Sequence, residues 1–147
     1  MNRLHLLRPV SVALLLSSLG IWPAHASCDR PDAVRFAPGA SDTVLKGGIS
    51  RGDRGCYLIG AHTGQQLVVV QRWGSDDNIV FQIYQPPWKI IPAGNGFDIN
   101  GAALPGAGDD DDTRTWSGIL PVSGTYLLVV GTTRGGGEYR IDIRIRQ

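Results

Sequence analysis

The chain has 147 residues, with 14 Lys and Arg against 13 Asp and Glu, 20 glycines, 9 prolines and two cysteines. That length suits one domain, and a near-neutral balance gives no electrostatic ground for nucleic acid or an anionic membrane as partner. No stretch of ten or more residues repeats with helical periodicity, which excludes a helical bundle.

Residues 1–26 have the layout of a secretory signal peptide. Arg3 and Arg8 make a basic start, residues 12–22 are mostly apolar, and Ala24-His25-Ala26 puts small residues where a signal peptidase reads. The apolar run is too short for a stable membrane span, and none of about 18 residues remains after cleavage. The mature chain then spans residues 27–147 as a single domain, is periplasmic or secreted, and has no membrane partner. Loss of Arg3 and Arg8 leaves 12 basic against 13 acidic residues. Cys28 and Cys56 both fall in this part, and an even count in an oxidising compartment favours one disulfide over two free thiols. Lipidation of Cys28 would normally need a leucine and two small residues before it, whereas His25-Ala26-Ser27 precedes it.

Taken in order, residues 29–33 are polar and proline-broken, and Val34-Arg35-Phe36 reads as a short first strand. Residues 43–49 form a second candidate, with Gly47-Gly48 as a possible bulge. A charged turn at residues 51–55 leads into Cys56-Tyr57-Leu58-Ile59. Thr63-Gly64 turns the chain, and residues 66–73 run back. After a turn at residues 74–78, Ile79, Phe81 and Ile83 share one face of a strand that Pro86-Pro87 is expected to stop. Residues 88–112 are the least regular, rich in Asn-Gly and Pro-Gly pairs.

The end of the chain is the clearest part. Tyr139, Ile141, Ile143 and Ile145 alternate with Arg140, Asp142, Arg144 and Arg146, which gives a strand one apolar and one wetted face. The apolar run 126–130, joined to it by a glycine-rich loop, suggests a β-hairpin. A glycine followed two residues later by tyrosine opens three strands, at Tyr57, Tyr126 and Tyr139. Short strands with turn signals every 8–12 residues predict an all-β protein: an antiparallel, two-sheet, jelly-roll-like β-sandwich of about eight strands.

The residues Tyr57, Gly64-Gln65-Gln66-Leu67-Val68-Val69, Ser123-Gly124-Thr125-Tyr126 and Tyr139-Arg140-Ile141-Asp142-Ile143 resemble the bacterial pre-peptidase C-terminal type of domain. This resemblance implies a jelly-roll-like sandwich over residues 34–147, standing alone with no peptidase. Within that group the chain is similar to the periplasmic inhibitors of goose-type (g-type) lysozyme. The shared features are Leu120-Pro121-Val122-Ser123-Gly124-Thr125-Tyr126, then Thr133-Arg134, then the alternating last strand. The similarity implies a non-catalytic protein whose loops at one end of the sandwich enter the lysozyme cleft, with Ser123, Gly124, Tyr126 and Arg134 as partner-binding residues.

The residues themselves carry little chemistry. His62 is the only histidine after the signal segment, has no nucleophile-elbow sequence nearby, and reads as a solvated turn residue, so no enzyme activity is expected. One histidine and two bridged cysteines make no zinc site, and no cofactor is expected. Asp109, Asp110, Asp111 and Asp112 are Ca²⁺ candidates by donor type, but lack the spacing of a calcium loop and read first as a solvated acidic loop, able to steer a basic partner. Trp73, Trp88, Trp116 and Tyr84 offer the aromatic surface of a carbohydrate- or cell-wall-binding module, the alternative function, with Trp88 the most exposed candidate.

Overall fold

The computed structural model describes residues 27–74 and 78–147; the signal segment lies outside them, as does the side chain of Trp73. These residues form nine β-strands and no helix. They are β1 (Asp32–Ala33), β2 (Asp42–Ile49), β3 (Gly55–Ala61), β4 (Gln66–Gly74), β5 (Ile79–Ala93), β6 (Gly96–Ala103), β7 (Thr115–Ile119), β8 (Gly124–Thr132) and β9 (Gly137–Arg146). Two sheets result, one of five strands in the order β1-β3-β8-β5-β6 and one of four in the order β2-β9-β4-β7. Every pairing is antiparallel except that of β1 with β3.

Alternation sets the core. Tyr57 and Ile59 of β3, Phe81 and Ile83 of β5, and Tyr126, Leu128 and Val130 of β8 meet Leu67 and Val69 of β4 and Tyr139, Ile141 and Ile143 of β9 between the sheets. Each fully buried aliphatic side chain contributes roughly 2 kcal/mol of transfer free energy. The three glycine-to-tyrosine openings are the first residues of β3, β8 and β9, and each tyrosine points inward.

A second apolar layer covers the outer face of the five-stranded sheet. Leu127 and Val129 of β8 pack there with Cys56 and Tyr84, under Trp88, Ile90, Phe97 and Ile99 of the β5–β6 hairpin. The hairpin folds over its own sheet, with the Trp88 indole N–H donating to the Thr125 carbonyl at 2.7 Å and the Arg54 guanidinium lying 5.1 Å above the Phe97 ring centre. Cys28 and Cys56 form a disulfide beneath this layer, so Cys28 has no thiol left for a lipid.

Several strand assignments differ from expectation, each for a local reason. The alternating β9 and the run in β8 are not a hairpin: β8 lies between β3 and β5, and β9 lies in the other sheet between β2 and β4. A strand apolar on both faces belongs where both faces are covered, and β8 is buried on both. β5 does not stop at Pro86-Pro87, whose peptide bond is cis, but continues to Ala93. Pairing with β8 ends at Tyr84, and the register with β6 shifts between Gln85 and Trp88, so neither proline interrupts a ladder that needs its N–H.

The remaining differences follow the same logic. Residues 88–112 contain the whole of β6, with Asn100-Gly101 inside a strand, not a turn. Gly101 faces Trp88, where an added Cβ would come within 2.8 Å of the Trp88 Cβ. Gly47-Gly48 is no bulge, since β2 pairs with β9 without a register shift. The first strand is Asp32–Ala33, and residues 34–36 follow it as an irregular segment, although the Val34 N–H still bonds the Leu58 carbonyl at 2.9 Å.

Candidate functional site

One end of the sandwich carries a hydrogen-bonded rim made of the β3–β4 turn (residues 62–65) and the β7–β8 loop (residues 120–123). Gly64 has φ +85°, a left-handed conformation that glycine adopts at no steric cost. The two segments are bonded together: Gly64 N–H to the Leu120 carbonyl at 2.9 Å and Leu120 N–H to the Gln65 carbonyl at 2.8 Å. The Thr63 N–H donates to the Ser123 hydroxyl at 2.8 Å, and the Thr63 hydroxyl to the Pro121 carbonyl at 3.2 Å.

Tyr126 supports this rim from inside. Its ring is fully buried, and its hydroxyl donates to the Val122 carbonyl at 2.6 Å while accepting from the Val122 N–H at 3.3 Å. A tyrosine that reaches back to the backbone a few residues upstream fixes the corner where a strand begins in β-sandwiches. Gly124, at φ +147°, lies so near Pro86 that an added Cβ would approach the proline Cγ to 2.9 Å. Val122 (38% exposed) and Ser123 are thereby held outward on a pinned loop.

Arg134 is at the other end. β8 separates it from Ser123 by nine strand residues, a rise of about 30 Å. There the Arg134 Nε–H donates to the Asn78 side-chain oxygen at 3.1 Å, and the Thr133 N–H to the Asn78 carbonyl at 2.9 Å. Of the four sequence-predicted residues, Ser123 is in the rim, Gly124 opens β8 directly after it, Tyr126 lies beneath it, and Arg134 is remote from all three. Sequence reading missed Thr63, Gln65 and Val122; the signal for the first two was only a turn pair, with no hint that it clasps a loop some 60 positions away.

The remaining candidates are mostly engaged in structure. Trp116 is buried and donates to the Pro105 carbonyl at 2.9 Å, and Trp88 is committed to Thr125. Burial, a hydrogen bond to Asp109 and the charge of that carboxylate raise the Tyr84 phenol to about 12. In the acidic run Asp109 accepts from Tyr84 at 2.9 Å, Asp111 accepts from the Gly108 N–H at 2.7 Å, and Asp112 adopts φ 45°. Asp109 and Asp111 thus turn to different partners, and among the described residues no three His, Cys, Asp or Glu side chains converge as metal ligands. His62 borders an open groove with Phe36, Ser41, Ile145 and Arg146, with no Asp or Glu side chain lining it.

No protein-family model and no curated protein matches the sequence, and the likeness to pre-peptidase C-terminal domains is not shown. Solved structures do match. The Aeromonas hydrophila PliG, a periplasmic lysozyme inhibitor of g-type lysozyme, superposes with a TM-score of 0.57 at 25% identity, over 79% of this chain and 96% of its own. A mutant of PliG-Ec, the corresponding inhibitor from Escherichia coli, gives 0.53 at 25% identity, over 79% of this chain and 97% of its own. Salmonella Typhimurium PliG gives 0.51 at 21% identity, over 78% and 96%, a likeness that speaks for the fold alone. The structural neighbours are inhibitors, not enzymes.

Proposed function

We propose that the chain is an exported, non-catalytic inhibitor of g-type lysozyme whose residues 120–124 enter the enzyme's cleft and block it. Export rests on reading residues 1–26 as a signal peptide; a periplasmic or secreted location accords with the disulfide and with the periplasmic neighbours. The observation that carries the mode of binding is the Tyr126 hydroxyl, which holds both backbone groups of Val122. A loop already ordered before contact loses little entropy on binding, and that saving appears as affinity. Ser123 supplies the chemistry. Its oxygen accepts from Thr63, which leaves the hydroxyl proton free to donate. Glycosidases flank the scissile bond with a pair of carboxyl groups, and a loop seated between them excludes the sugar while Ser123 bonds an acceptor there.

Purified protein lacking residues 1–26 should inhibit goose-type lysozyme and spare chicken-type and invertebrate enzymes in a cell-wall lysis assay. Absence of inhibition at about 1 µM, a concentration that a specific complex saturates, sinks the proposal. Val122→Asp should abolish inhibition with little change in melting temperature. If Arg134→Ala abolishes it instead, the contact lies at the opposite end. Retention on insoluble peptidoglycan without enzyme would favour the glycan-binding alternative, against which the Trp88 ring packs on the outer apolar layer of the sheet.

A further inference from the structure

The four sheet edges are not alike. β1 has two residues, β2 carries Asp42 and Lys46, and β6 carries Asp98, but β7, Thr115-Trp116-Ser117-Gly118-Ile119, has neither charge nor proline. Edge strands are ordinarily protected from pairing by shortness, charge or proline, and β7 has only its modest length. Its ladder with β4 is flanked by bonds from Gln71 N–H to the Arg114 carbonyl and from Leu120 N–H to the Gln65 carbonyl. Residues 114 and 120 therefore turn their backbone groups toward β4. By alternation, Thr115, Ser117 and Ile119 turn theirs to the free edge. All three are solvent-exposed, and Ile119, at 64%, is the most exposed large apolar residue among those described.

We propose that β7 pairs antiparallel with β7 of a second copy of this chain, about a two-fold axis through Ser117, joining the two four-stranded sheets into one. The strand is self-complementary in that register. Ser117 faces its counterpart, Thr115 faces Ile119 of the other copy, and each outward residue exchanges N–H and C=O across the axis with no charge opposing a like charge. Ile119 then lies beside Thr115 of the second copy, on the outer face that also carries the half-buried Val68 and Val70. A two-fold contact of this kind closes on itself, giving a dimer, not a fibre. The antiparallel register sends the two rims built on residues 120–124 to opposite ends, so each stays open, and the dimer stands or falls independently of the inhibitor reading.

The test is sedimentation of the protein lacking residues 1–26 up to about 100 µM, where mass action favours association. The wild type should sediment as a concentration-dependent dimer. Ser117→Lys places two ammonium groups on the axis and should weaken dimerisation about tenfold or more, with an unchanged unfolding midpoint at low concentration. Mixing Ser117→Lys with Ser117→Glu should restore the dimer as a heterodimer. A monomeric wild type throughout the range overturns the proposal, including when β7 instead takes up a strand from another protein. So does a Ser117→Lys dimer of wild-type affinity, which would assign association to another surface.

Discussion

Gly47 is a glycine because of a ring. An added Cβ there would lie 2.4 Å from the Tyr139 hydroxyl oxygen and 2.6 Å from Cζ. The ring cannot easily give way: it is 3% exposed, stands edge-on to Tyr57 with centroids 6.5 Å apart, and its hydroxyl is hydrogen-bonded to that of Tyr57. Gly47→Ala must therefore push a packed side chain, at about 1–3 kcal/mol, and break a buried hydrogen bond, at about 1–3 kcal/mol more. Lower entropy of the unfolded chain returns about 0.4–1 kcal/mol, leaving a net loss of roughly 1–5.5 kcal/mol. Urea unfolding followed by tryptophan fluorescence should show a lower midpoint with an unchanged slope. The double variant Gly47→Ala/Tyr139→Phe should cost less than the sum of the singles, because the phenol that clashes is also the one that bonds. A Gly47→Ala protein within about 0.5 kcal/mol of wild type, the range of ordinary surface substitutions, or strict additivity, would refute this reasoning.

Tyr126→Phe should cost about 1 kcal/mol for the lost hydroxyl bonds, with faster amide exchange at Val122 and an inhibitory loss larger than the stability loss accounts for. Replacing Cys28 and Cys56 together by Ala opens a loop of sequence separation 28 and should cost about 3–4 kcal/mol in the chain-entropy picture, read as a lower denaturant midpoint. Burial raises the phenols of Tyr57, Tyr84 and Tyr139, that of Tyr84 to about 12. Their neutral forms are bound more tightly in the folded state, so this stability is complete below about pH 10 and is lost as pH climbs from there through the folded values. Melting temperature should fall over that window alongside tyrosinate absorbance; a flat profile past pH 11 would contradict it. Added Ca²⁺ should leave the melting temperature unchanged, because the carboxylates of residues 109–112 do not converge; a rise at millimolar Ca²⁺ would show a site formed on binding.

The two-sheet class was legible because alternation survives without tertiary context. Tyr139, Ile141 and Ile143 face inward in the structure as their spacing requires, and the glycine-tyrosine openings mark three strand starts. Pairing partners were not legible. Two strands joined by a glycine-rich loop suggest a hairpin, yet the run 126–130 has no polar face and so needed cover on both sides, which a central strand between β3 and β5 receives. That continuous apolarity was the available clue. The candidate site was half legible: Ser123-Gly124-Thr125-Tyr126 encodes a pinned corner, whereas Arg134 follows it by a full strand length and so emerges at the far end. The clasp from Thr63 rests on contacts across 60 positions, for which sequence spacing carries no signal.

The position of β9 has a consequence for when the fold can exist at all. Its ten residues are the filling between β2 and β4, and Leu45 pairs with Ile141 across nearly the whole described chain. Until β9 emerges, β2 has no neighbour and the four-stranded sheet lacks its middle. Such long-range closure is slow, which for the export we propose is an advantage: a chain that cannot complete its sheet early remains threadable. Losing β9 would leave β2 with no neighbour and β4 held by β7 alone, and would open one wall of the core.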